Sequence, residues 1–140
     1  MLVRLLYASR AVSGFSPEEL NTILKQSRAH NPERGVTGVL CYSDGLFMQV
    51  LEGGRDVVNE LYKQIVTDPR HSDVVILRYQ EITERQFAGW TMGQVTLSRL
   101  NPGLVLKYCE TGKLDPYHMS GHALMALFNE LVSSGAIVCS

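Results

Sequence analysis

At 140 residues, 45% hydrophobic and 19% charged, the chain has one domain's worth of core and a globular rather than disordered composition. Its formal net charge of −1 argues against the clustered basic footprint that a nucleic-acid binder needs. No basic stretch leading into an apolar run opens the chain, and no apolar run approaches the roughly 18 residues of a membrane span, so neither a secretory leader nor a membrane anchor is expected.

Residues 2–8 predict a first strand, followed by a loop at 13–15. Ser16-Pro17-Glu18-Glu19 then predicts a helix start: Ser16 as cap, Pro17 in the first turn, Glu19 completing a capping box. Leu20, Ile23, Leu24 and Ser27 recur at helical spacing. The helix is expected to stop near His30-Asn31-Pro32, since the residue before proline disfavours helical backbone. Asp44-Gly45 predicts a two-residue hairpin turn within Val36 to Glu52, pairing Tyr42 with Phe47 and Leu40 with Gln49. A second helix is expected from about Asp56 to Thr67, with Val57, Leu61 and Ile65 on one stripe. Val74 to Tyr79 and Met92 to Leu97 read as strands. This βαββαββ order predicts an α+β, ferredoxin-like sheet with both helices on one face. Asn101-Pro102-Gly103 breaks the chain, Gly112 interrupts a weak helical segment, and Ser120 to Ser134 predicts an amphipathic C-terminal helix with Leu124, Leu127, Phe128 and Leu131 on its apolar stripe. Its expected cover is the sheet face opposite the first two helices, or a second copy of the chain. A unit at 1–97 and a helical extension at 98–140 follow, with no second domain.

Gln49 stands in a strand that is otherwise apolar from Leu46 to Leu51. A buried amide is costly unless hydrogen-bonded, and its two ends can meet two different partners. An ordinary glutamine tied to nearby backbone would satisfy the same need. Three scattered cysteines, Cys41, Cys109 and Cys139, read as reduced thiols of a cytoplasmic protein, with Cys41 as a small core residue. His118 and His122 have metal-ligand spacing but lack an accompanying glutamate, and no metal site is expected there.

Tyr7, Asn31, Thr37-Gly38, the FMQVLEG run from Phe47 to Gly53 and Trp90-x-Met92 together resemble the BLUF domains, blue-light sensors that hold a flavin noncovalently. The resemblance covers residues 1 to 97. It implies a photoreceptor without catalytic turnover that binds FAD (or FMN or riboflavin) and signals to a separate downstream protein, with a homodimer possible. It implies that Tyr7 is the photochemical donor of an electron and a proton, and that Gln49 changes tautomer or orientation. It implies that Asn31 bonds the flavin's C4 carbonyl and N3 edge, with His30 beside the ring, Ile23 and Ile65 as apolar walls, Phe47 and Ser27 nearby, and Arg70 and His71 near the ribityl-phosphate end. Trp90 and Met92, two apart on the last expected strand and hence on one face, are implied in passing the signal outward. With no glycine-rich phosphate loop, the ring should dominate binding.

Two other classes compete. An acylphosphatase-like hydrolase on the same topology would use Arg10 and Asn31, but lacks a phosphate-cradling loop and leaves Gln49 unexplained. A cofactor-free interaction module would use the tail helix alone.

Overall fold

A computed structural model describes residues 1–95, 101–134 and 137–138. The elements are β1 Leu2–Ala11, α1 Pro17–Arg34, β2 Thr37–Ser43, β3 Leu46–Gly54, α2 Arg55–Val66, β4 His71–Ile82, β5 Gly93–Val95, α3 Pro102–Tyr108, a 3₁₀ turn Pro116–His118, α4 Gly121–Ser134 and β6 Ile137–Val138. The strands form one six-stranded sheet in the order β4-β1-β3-β2-β5-β6. The first four strands are antiparallel in the expected ferredoxin-like order, and β5 adds to the β2 edge in parallel. The expected Met92-to-Leu97 strand is thus Gly93–Val95 as far as the described residues reach; 96–97 lie outside them, as does Cys139.

The hairpin follows from its turn. Asp44 and Gly45 both take positive φ, 50° and 77°, the backbone a tight two-residue connection between twisted strands requires. The register is the expected one, Tyr42 opposite Phe47 and Leu40 opposite Gln49. Gly38 is demanded by close approach: a Cβ there would lie 2.0 Å from the Val50 carbonyl oxygen.

α1 runs further than expected. Ser16 caps it, its hydroxyl accepting from the Glu19 N–H at 3.2 Å, but Pro32 lies inside the helix and the chain leaves only after Arg34. Gly35 ends it at φ 70°, with Gly35 N–H on the Pro32 carbonyl (3.3 Å) and Val36 N–H on the Asn31 carbonyl (2.9 Å). A glycine-closed last turn satisfies the orphan carbonyls whether or not a proline precedes it. Asn31 therefore sits on helical backbone.

Strand alternation divides the core in two. Val3, Leu5, Tyr7, Leu40, Phe47 and Leu51 face α1 and α2, where Leu20, Leu24 and Val58 complete the packing. Leu6, Ala8, Val39, Cys41, Met48 and Val50 face the other way, onto Leu124, Met125, Leu127, Phe128 and Leu131 of α4. The sheet face opposite the first two helices is thus the cover for α4's apolar stripe. α4 comes close because Gly121 allows it: a Cβ there would meet the Leu77 carbonyl oxygen at 2.3 Å.

On the α4 face, Glu52 is fully buried and fully occupied. It accepts from Arg4 Nε (2.8 Å) and from the N–H groups of Gln86 (3.1 Å) and Phe87 (2.7 Å). Arg85 adds hydrogen bonds to Thr37 Oγ1 and the carbonyls of Gly35 and Glu52. The loop leading to Trp90 is thereby pinned to the β2–β3 hairpin.

Candidate functional site

Between α1, α2 and the sheet lies a cavity of about 350 Å³. α1 lines it with Ile23, Ser27, His30 and Asn31, recurring every three to four residues and so sharing one side of the helix. α2 gives Leu61 and Ile65, the turn after it Asp68 and Arg70, and the start of β4 His71. The sheet supplies Tyr7, Leu40, Phe47, Gln49 and Leu51, and Met92 closes one side. Of the α1 residues in this lining Asn31 is buried, while Ile23 and Ser27 are partly exposed and His30 is exposed. Polar Ser27, His30 and Asn31 beside apolar Ile23 make a lining suited to a planar ligand with polar edges and an apolar body.

At the floor, Tyr7 on β1 stands directly opposite Gln49 on β3. Both are buried, and the phenol donates a short hydrogen bond to Gln49 Oε1. At its other end the same amide donates Nε2–H to Met92 Sδ at 3.3 Å. Gln49 thus bridges a strong donor and a weak thioether acceptor. Tyr62 stacks edge-on against Tyr7, ring centres 6.1 Å apart. Burial pushes the Tyr7 phenol's pKa well above its usual value, with the Asp68 charge and Tyr62 adding to it. The phenol therefore keeps its proton.

Asn31 is buried and donates Nδ2–H to the Thr91 carbonyl at 2.9 Å. A primary amide has a second N–H and an acceptor oxygen, enough to engage a ligand edge at the same time. At the far end Asp68 binds Arg70 side-on, Nε–Oδ1 2.9 Å and Nη2–Oδ2 2.5 Å, and hydrogen bonds from Arg70 hold its carboxyl below the usual range. His71 bridges Ser9 Oγ (2.8 Å) and the Ile65 carbonyl. Since a carbonyl only accepts, the contact to Ile65 is donated by the ring's Nε2–H.

Tyr7, Gln49, Asn31, His30, Ser27, Ile23, Ile65, Phe47, Arg70 and His71 all line this one cavity, with Met92. Trp90 does not. Trp90 and Met92 were expected on one face of a strand, but both precede β5, where two-residue alternation has no force. Trp90 packs on Phe87, ring centres 6.3 Å apart, in the core under α4, while Met92 crosses to the α1–α2 side. Gln26, Arg34, Gln64 and Asp68 also line the cavity and were not anticipated. The spacing of Gln26 and Arg34 from Ser27, His30 and Asn31 could have found the first two. Arg10 lies apart from the cavity, paired with Asp73 at 3.5 Å and 4.3 Å from the Tyr117 ring centre, so the hydrolase pair is not assembled. His118 bonds Asp115 and His122 bonds Arg78, and no cluster able to hold a metal occurs among the described residues.

Residues 2–93 match the family model described as "BLUF: Sensors of blue-light using FAD". A photoactivated adenylate cyclase subunit beta from Euglena longa is 40% identical over 96 residues, 68% of this chain and 11% of that protein. The blue light- and temperature-regulated antirepressor BluF of Escherichia coli is 30% identical over 87 residues, 62% of this chain and 22% of that protein. The chain thus spans about a tenth of the cyclase subunit's length and under a quarter of the antirepressor's. Among solved structures, the BlsA photo-activated state aligns with TM-score 0.86 and 32% identity over 94% of this chain and 95% of that one. The dark-state structure of BlrB, a BLUF protein, aligns with TM-score 0.79 and 30% identity over 96% of each. No helix among the described residues is long and apolar enough to cross a membrane.

Proposed function

The chain belongs to the BLUF family of flavin-using blue-light sensors, and on that premise we propose that its Tyr7–Gln49–Met92 chain is the light-responsive element and that a separate protein receives the signal. When bound, the flavin supplies blue absorption and an electron acceptor in its excited state. Of the flavins, FAD is the proposed occupant, with the ring between Ile23 of α1 and Ile65 of α2. Asn31 would hold the ring's polar edge through its second N–H and its oxygen, and Ser27 and His30 would flank it. Arg70 and His71 would meet the ribityl-phosphate end.

Tyr7 would give up an electron and then a proton, since its phenol is neutral and already hydrogen-bonded toward Gln49. The observation that carries the proposal is the asymmetry of Gln49's partners. Its oxygen accepts the phenol's hydrogen bond, whereas its N–H group spends itself on a thioether, so exchanging that partner for an oxygen acceptor costs little and gains more. A glutamine that only tied a core together would not be left on so weak an acceptor. Residues 1–97 would then be the sensor and 98–140 an extension carrying the response outward, without catalytic turnover of its own, in a cytoplasmic protein.

Extraction tests the binding half. Purified protein should be yellow and release one flavin per chain on denaturation, identifiable by chromatography. Asn31→Ala should lower the fraction retained about tenfold, the loss of one or two buried hydrogen bonds. Colourless protein that takes up no added flavin would overturn the proposal.

A further inference from the structure

The segment that brings Met92 to Gln49 is the end of the loop between β4 and β5, outside any helix or strand. Gly38 holds the Trp90 carbonyl from β2, and α1 holds the next two. Arg28 donates from Nε (3.2 Å) and Nη2 (3.1 Å) to the Met92 carbonyl, and Asn31, three residues on, donates to the neighbouring Thr91 carbonyl at 2.9 Å. Arg28 is half-buried and does not line the cavity. A methionine side chain has three rotatable bonds and a weakly accepting sulfur, so it cannot fix its own position. A two-pronged, charge-assisted grip on its backbone can.

We propose that Arg28 is a positioning residue: it holds the Met92 backbone so that the thioether stays against Gln49, and it thereby sets how fast the illuminated Gln49 network returns to its dark arrangement. The recovery clause rests on the Tyr7–Gln49 reading above; the anchoring clause does not. Return requires the thioether to be back in reach of Nε2. Without the guanidinium the 90–92 segment samples more positions, and the competent one is a smaller fraction of them. Lysine offers one rotatable point donor in place of the fork, so it should restore part of the effect.

Two measurements on the full chain decide it. The chain has one tryptophan, Trp90, two residues from Met92, so tryptophan fluorescence reports on this segment and on its seat beside Phe87. In flavin-free protein, Arg28→Ala should raise acrylamide quenching of Trp90 at least twofold with the far-ultraviolet circular dichroism unchanged, and Arg28→Lys should fall between. In flavin-loaded protein, Arg28→Ala should keep the full red shift but recover in the dark at least threefold more slowly, again with lysine between. Unchanged quenching in Arg28→Ala would overturn the anchor, whatever the light response. Increased quenching with wild-type recovery would overturn the claim that the anchor sets the rate. A wild type that shows no red shift would sink the Tyr7–Gln49 reading instead, and the quenching comparison would still judge the anchor.

Discussion

The chemistry of the site is concentrated in two side chains that meet across neighbouring strands, Tyr7 and Gln49. Their hydrogen bond spans 42 residues of sequence, so no local pattern announces it. The hairpin turn alone fixes Leu40 opposite Gln49. That Gln49's other neighbour is Tyr7 depends on β1 pairing with β3, which the ferredoxin-like order implies but whose register no local pattern sets. Burial of the phenol has a measurable consequence. Its folded-state pKa lies above the ordinary phenol value, so the unfolded chain releases this proton at lower pH than the folded one. The group's contribution is fully present below about pH 10 and is lost as pH rises toward the folded value, at up to about 1.4 kcal/mol per pH unit. Urea unfolding at pH 9, 10 and 11 should show stability declining above pH 10, and Tyr7→Phe should decline less steeply. Equal slopes would mean that the phenol is not buried as described.

At the scale of elements, what is local was legible and what is irregular was not. The Asp44-Gly45 hairpin and its register, the Ser16 cap and the apolar stripe of α4 each follow from short-range rules, and each occurs where expected. α1 outran its expected end because Gly35 closes the helix so well that Pro32 is accommodated in the last turn. Trp90 and Met92 take opposite faces, against the expectation, because both lie outside β5, where two-residue alternation does not hold. The polar cavity side of α1 was legible only in part, since hydrophobic periodicity is blind to a helix face meant for a ligand. α4 offers a test of its own. With the Leu77 carbonyl 2.3 Å from any Cβ at position 121, Gly121→Val must push the helix start off β4. A loss of about 1–3 kcal/mol in thermal or denaturant unfolding is expected, with flavin retention far less affected because the cavity is on the other face. A variant as stable as the parent would show that α4 is not seated this closely.

For the molecule as a whole, the sheet is a partition with the candidate flavin site on one side and α4 on the other. Three connections cross or skirt it near Gln49: Met92 leads through Trp90 into the core under α4, the Trp90 carbonyl accepts from the Gly38 N–H at 3.1 Å, and Glu52 holds the Gln86–Phe87 turn. Light should therefore change protection in the segment around Trp90 and Met92 or in α4. Hydrogen exchange of dark and illuminated samples should differ within 88–95 or 121–134. Identical protection across both stretches, with a normal red shift, would leave this route without support. A partner exchange at Gln49 under blue light must register in a difference spectrum of the flavin. The flavin-loaded protein should shift its absorption to the red without bleaching and return in the dark, and Gln49→Leu should bind flavin yet show no shift. Bleaching in the parent, or a normal shift in Gln49→Leu, would contradict it.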